Sequence, residues 1–444
     1  MKILKSYKFK LKPTNEQTAM LKQHGGNVRF VWNKLLDYSN KQHEITNKFP
    51  TQSELQKYII ELKKNNEFIK LSHSQPIQFN ALKLTRTFTR AFKPEVVSMR
   101  NSKISQAKLE KDEKLRNKKI ARALSFGFPK FKSKNQNNDN LFYPQNVKFA
   151  RARVLFPKLG WINYIKHREI LGKQLFATII QDGKDYFVTV TCELKQKENK
   201  KIDVDCANKG EAANIIGIDV GIKTFATLSD GSIIENPKTL KKHLRKLKRE
   251  SKKLSKKVYN EETHKSSQNR IKQVAKVQKI HKKVRNIRKD FLHKTSYHII
   301  TKYDGVILEN LDIKGMLRKN GSAMNRSISD VSWYEFGRML EYKSKWNSKH
   351  FCKVDRFFPS TQLCNKCGNK MSLSLKDRTY SCPNCLTVCG RDDNASLNIK
   401  DEGIRILKNT LATREIKVCG LNQKLRLKQK QVVDKSALAF ANAV

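Results

Sequence analysis

IIGIDVGIKTFATLSDG, residues 215–231, ends an apolar run on a carboxylate and then turns back on itself. Ile215 to Asp219 reads as a buried strand. Gly221 leads into a second strand, Thr224 to Leu228, and Asp230-Gly231 supplies the turn that closes it. A carboxylate at the end of so apolar a strand is costly unless a cation compensates it. Two more acids occupy comparable places. Glu309 ends the apolar strand GVIL, and Asp392 opens the helical stretch DDNASLNIKDEGIRIL. Each has an ordinary reading: Asp219 as a turn residue, Glu309 as a surface charge, Asp392 or Asp393 as a helix N-cap. Their order along the chain says more. Strand-Asp-hairpin, strand-Glu and Asp-helix is the layout of an RNase H-like nuclease core. There, three carboxylates hold two Mg²⁺ ions against a phosphodiester during in-line attack by water.

Between Glu309 and Asp392 lies a second chemistry. Cys364-x2-Cys367 and Cys382-x2-Cys385, fourteen residues apart, fit a four-cysteine zinc ribbon. Four thiolates close the coordination shell, so such a zinc is structural. Cys352 and Cys389 fall outside the spacing and read as non-ligands.

Composition points to a polyanionic partner. The 444 residues carry 92 Lys and Arg against 40 Asp and Glu, a net charge of +52. A charge that large repels itself unless long nucleic acid neutralises it. Hydrophobic residues at 38% are enough for folded cores. No apolar run approaches a membrane span or a secretory signal, and the paired cysteines suit a reducing compartment. A cytoplasmic, nucleoid-associated protein is the expectation. No GxxxxGK[ST] loop argues for a nucleotide-driven motor.

Outward from the core, YKFKLKP (7–13) alternates like a basic strand stopped by proline. VRFVWNKLLDY, SELQKYIIELKK and FNALKLTRTFTRAF have helical spacing, residues 100–120 read as surface helix or loop, and residues 141–194 turn strand-like. The pattern is that of a small β-barrel, first strand at 3–11, with a helical region inserted. Residues 195–214 read as a linker. Residues 238–303 read as a basic antiparallel helical hairpin. One seam runs through Leu240, Leu244, Leu247, Leu254 and Val258, the other through Ile271, Val274, Val277, His281, Val284, Ile287 and Phe291. Residues 329–346 read as one helix.

In YKFKLKPTNEQ, RFVWNKLL, PKFKSK, GIDVGIKTFATLSDG, LENLDIKGM, RFFPSTQLCNKCG, CPNC and RDDNASLNI the chain resembles the TnpB family. These are transposon-encoded RNA-guided DNA endonucleases, similar to type V CRISPR effectors. The resemblance runs from about residue 3 to 408. It implies an α/β fold plus a small barrel, arranged as follows: a wedge-like (WED-like) β-barrel at 1–13 and 135–198, a helical recognition domain at 14–134, a linker at 199–213, a RuvC-like nuclease at 214–359 and 387–410, the zinc ribbon at 360–386 and a basic tail at 411–444.

It further implies one active site of Asp219, Glu309 and Asp392, served by Mg²⁺ or Mn²⁺. One structural Zn²⁺ on Cys364, Cys367, Cys382 and Cys385 completes the cofactors. The partners implied are a guide RNA from the transposon end and double-stranded target DNA beside a short flanking motif, in a monomeric ribonucleoprotein. The family's closing Asp-Arg-Asp-x-Asn-Ala-Ala is GRDDNAS here, with Gly390 for the first aspartate and Ser396 for the last alanine. Leu386 stands where the family has glycine. Two rival functions share these features: a guide-directed repressor that does not cut, and an RNase H-like transposase that needs no guide.

Overall fold

The computed structural model describes residues 2–134, 139–195, 214–260, 265–374 and 377–409. The expected linker at 199–213 and tail at 411–444 lie outside the described residues. The chain forms two compact units, Met1–Lys195 and Gln196–Val444.

In the first unit, β1 (Lys2–Lys12) buries Tyr7, Phe9 and Leu11 on one face and exposes the lysines between them. It is the middle strand of a seven-stranded antiparallel sheet with β2 (Leu141–Tyr143), β3 (Lys148–Phe149), β4 (Arg153–Phe156), β5 (Gly160–Ile165), β6 (Lys173–Asp182) and β7 (Asp185–Lys195), ordered β2-β6-β7-β1-β5-β4-β3. Six helices fall between β1 and β2: α1 (Asn15–Thr46), α2 (Gln52–Asn65), α3 (Glu67–Lys70), α4 (Ser74–Ala91), α5 (Pro94–Lys108) and α6 (Glu113–Leu124). Capping boxes at Thr14 and Thr51 fix where α1 and α2 begin, each satisfying two backbone donors reciprocally. Val31, Leu35, Leu55 and Leu84 from these helices join Phe9 and Val188 of the sheet in one core. Residues 100–120 belong to α5 and α6, each of which buries a single alanine.

The second unit is built on a mixed sheet of β8 (Ile215–Val220), β9 (Thr224–Leu228), β10 (Ile233–Glu235), β13 (Gly305–Leu308) and β14 (His350–Lys353). Its order is β10-β9-β8-β13-β14, with β8, β9 and β10 antiparallel and β8, β13 and β14 parallel. A two-residue ribbon, β11 (Tyr259–Asn260) with β12 (Lys265–Ser266), lies between α7 (Thr239–Ser255) and α8 (Gln268–Lys302). Next come α9 (Ile313–Lys319), α10 (Ser322–Val331) and α11 (Trp333–Trp346). A small hairpin, β15 (Thr379–Ser381) with β16 (Val388–Gly390), leads into α12 over residues 391–409. Strand β14 has too few residues to show a period in sequence; it forms because β13 offers it a parallel edge.

Period two sorts this sheet into two faces. Ile216, Ile218, Val306 and Leu308 meet Leu292 of α8 and Phe336 of α11. Ile215 and Ile307 face the other way and meet Ile399 of α12. Asp219 shares parity with Ile215 and so belongs to the α12 face.

The basic hairpin forms, with corrections to its seams. Along α8 up to residue 292 the buried positions are Gln273, Ile280, Val284 and Leu292, while Ile271 and Ile287 are exposed. Hydrophobicity alone mis-set the seam because a polar pair occupies it. Glu250 of α7 is buried there, and Gln273 Nε2 donates to its carboxylate and its carbonyl, both at 2.9 Å. Val258 lies beyond α7 and is exposed. The single helix expected at 329–346 is two, α10 and α11, because Ser332 takes a left-handed conformation (φ 59°) between them.

Candidate functional site

Asp219 lies near the end of β8, and Glu309 directly follows β13. The parallel register pairs Gly217 with Ile307 and Ile218 with Leu308, so the next step sets Asp219 against Glu309. Both carboxyls are pushed above their ordinary range. Burial is the main cause for Asp219, followed by repulsion from Glu309 and then Asp392, with the Arg391 guanidinium pulling back. Burial also drives Glu309 up, partly offset by a hydrogen bond donated by the Asp219 carboxyl.

Asp392 reaches this place on α12, whose seat is set by close backbone approach. A Cβ on Gly217 would lie 2.3 Å from Ser396 O and 2.7 Å from Lys400 N, so only glycine lets the helix lie this near β8. Across the same contact, a Cβ on Gly403 would meet Ile307 Cδ1 at 2.3 Å. Asp392 sits in the first turn of α12, where the helix N-terminus favours a carboxylate. Two arginines hold it. Arg391 donates to Asp392 Oδ1 from Nη2 at 3.0 Å and from Nε at 3.2 Å, and Arg378 Nη1 stands 3.8 Å from Oδ2. Arg391 is the arginine of the closing motif, aligned there without a role from sequence, whereas Arg378 carried no sequence signal.

The four cysteines converge. Among the described residues, Cys364, Cys367, Cys382 and Cys385 are the one group of potential ligands whose metal-binding atoms all lie within 4.8 Å of one another. Cys364 Sγ is 3.5 Å from Cys385 Sγ, and Cys367 Sγ is 3.5 Å from Cys382 Sγ. A tetrahedral zinc with bonds near 2.3 Å needs sulfur–sulfur edges of about 3.8 Å, so the set fits that ion. Backbone N–H groups of residues 384 and 385 point at Cys382 Sγ and pull its thiol down; those of 366 and 367 point at Cys364 Sγ, but burial still pushes that thiol up to about 11. Hydrogen bonds from Thr387 pull the Cys385 thiol down to about 6. Cys389 packs beside this cluster and Cys352 lies apart from it, in the core against α12.

The ribbon and α12 are stitched together by amides: Asn394 holds the Asn position of the closing motif, while Asn365 and Asn398 carried no sequence signal. Asn394 is buried; its Oδ1 accepts from Asn365 N at 3.0 Å and its Nδ2 donates to Leu363 O at 2.6 Å. Asn398 Nδ2 donates to Ser360 O and Leu363 O, both at 2.7 Å. Asn365 Nδ2 reaches Asp401 at 2.7 Å. These hydrogen bonds tie the first cysteine turn to the helix carrying Asp392.

Residues 189–320 match the OrfB_IS605 family, described as "Probable transposase". Residues 333–399 match the Cas12f1-like TNB domain, and residues 1–48 match the helix-turn-helix domain of OrfB_IS605. The chain is 29% identical over 425 residues to InsQ of Escherichia coli (strain K12), named as an RNA-guided DNA endonuclease; the match covers 92% of this chain and 94% of that one. A Streptomyces pristinaespiralis protein of the same designation is 28% identical over 411 residues, 90% of each chain. Among solved structures, the Cas12f1–sgRNA–target DNA complex aligns with 90% of this chain and 99% of that one, at 14% identity and a TM-score of 0.45. The sequence matches bear out the TnpB resemblance read from the motifs.

Proposed function

On the premise of its TnpB-family sequence, we propose that the protein is an RNA-guided DNA endonuclease of an insertion sequence. The observation that carries the reading is the parallel register that sets Asp219 against Glu309, with Asp219 repelled by both Glu309 and Asp392. Acids gathered at such a cost need cations to justify their placement. In this reading the second unit is an RNase H-like, RuvC-like nuclease over 214–359 and 387–410, interrupted by the zinc ribbon at 360–386. The first unit is a wedge-like barrel, 1–13 and 135–198, with the recognition helices of 14–134 inserted.

Asp219, Glu309 and Asp392 would hold two Mg²⁺ ions, which when bound activate water and stabilise the leaving oxygen. The chain's own part is positional. β8 and β13 set two acids side by side by register, α12 brings the third, and Arg391 balances part of their charge until cations arrive. Cys364, Cys367, Cys382 and Cys385 would hold one structural Zn²⁺ that fixes the loop feeding α12. Guide pairing would supply sequence recognition, with the protein reading backbone shape and a short flanking motif. The ribonucleoprotein would act as a monomer on double-stranded target DNA in the cytoplasm.

The test is cleavage of a guide-matched plasmid by the purified ribonucleoprotein with Mg²⁺ and with EDTA. Cutting of both strands that needs guide and Mg²⁺ is the expected result. Tight target binding without cutting would replace the reading with a repressor. Strand transfer that survives removal of RNA would replace it with a transposase.

A further inference from the structure

Phe357 is the most exposed large hydrophobic side chain among the described residues, at 85%. Mobility does not account for it, because its backbone is pinned on both sides. Asp355 Oδ1 accepts from Phe357 N at 2.8 Å, and Val354, fully buried, donates its N–H to Leu308 O at 3.1 Å. After it, Phe358 packs into the core under α12, and Ser360 is held by Asn398. The chain thus turns one phenylalanine inward and its neighbour outward. Among the described residues no aromatic ring or cation covers the Phe357 face.

The loop also has a defined address. Leu308 immediately precedes Glu309, and Val354 is bonded to its carbonyl. Three residues span at most about 11 Å, and Val354 N is 3.1 Å from Leu308 O, so the Phe357 backbone lies within about 14 Å of the strand end from which Glu309 emerges. Arg356, half exposed, directly precedes Phe357 in the chain and, among the described residues, its one ion pair is a long contact of 3.9 Å to Asp312. An exposed ring beside a cation is the pairing that takes a base on its face and the adjoining phosphate on its charge.

We propose that Phe357 is a stacking site for a nucleobase of the DNA strand at the nuclease centre, with Arg356 on the neighbouring phosphate. This rests on the endonuclease reading and adds the contact that would hold an unpaired strand in register with the acids. Charge selects the occupant, since a protein at +52 favours a nucleic acid strand over an apolar protein face.

The test uses the full chain with and without guide RNA, and DNA carrying 2-aminopurine at successive positions of a single strand and of a guide-matched target. An Asp219→Asn background keeps the target uncut. Wild-type Phe357 should quench one position strongly, Phe357→Ala should lose that quenching, and Phe357→Trp should restore it. With Asp219 intact, Phe357→Ala should cut about 5- to 150-fold more slowly at subsaturating target, the range of one aromatic–base stack. Equal quenching and equal rates in Phe357→Ala would overturn the stacking site while leaving the endonuclease reading in place. Phe357-dependent quenching without any cutting by the protein with Asp219 intact would support the site and overturn that reading.

Discussion

Replacing the Asp219 carboxylate with the neutral amide of asparagine removes a buried charge that Glu309 and Asp392 both repel. In the unfolded chain that carboxyl ionises near its ordinary value, about 3.9, whereas the folded chain holds its proton to higher pH. Its contribution to stability is therefore full below that value and is lost as pH rises through the folded pKa. Asp219→Asn should raise the metal-free Tm at neutral pH by about 2–4 °C for each kcal/mol regained, with the gain shrinking as pH approaches 4. The same change should abolish cutting. An unchanged or lower Tm in EDTA at pH 7 would contradict the crowding of these acids. A second residue-scale strain sits in the ribbon. Leu386 follows the last cysteine with φ 58°, while Gly368 follows the first cysteine pair with φ 73°. A left-handed non-glycine residue costs about 1–2 kcal/mol. Leu386→Gly should therefore stabilise the ribbon by about 1 kcal/mol, read as slower zinc loss to a chelator.

At the scale of elements, α12 is the part whose placement the site cannot do without. Its two close contacts, Gly217 against Ser396 and Gly403 against Ile307, leave no room for a methyl group. Gly217→Ala must push helix backbone away from β8, and a loss of about 3 kcal/mol is expected from overpacking. Hydrogen exchange should show α12 losing protection before α8. Uniform loss across the unit would indicate a different cause. The ribbon is the other support. Cys364→Ser should lower zinc content and folded yield together, because the amides of Asn394 and Asn398 tie that cysteine turn to α12. Asn394→Ala leaves Leu363 O and Asn365 N, part-buried, without that amide, and should cost about 1–3 kcal/mol.

For the whole molecule, the surplus of cations dictates how it meets its partners. Each phosphate neutralised releases a counterion, so affinity for RNA or DNA should fall by about 10³-fold or more between 50 and 200 mM salt if six or more phosphates are engaged. A shallow salt slope in a filter-binding series would refute that mode of binding. Much of this was legible in the chain. Apolar strands ending in Asp219 and Glu309, the spacing of Cys364, Cys367, Cys382 and Cys385, and the charge of +52 are local patterns, and each survives into the fold because it depends on neighbours in sequence. What the sequence could not carry were relations across the sheet and between elements. Strand β14 exists by pairing, the seam of α8 turns on the polar contact of Gln273 with Glu250, and the hold of Arg378 on Asp392 depends on how the ribbon hairpin folds back. The kinds of residue and their order were thus set by sequence. Which of them touch was decided by packing, because contacts between distant residues depend on backbone approach that no local period records.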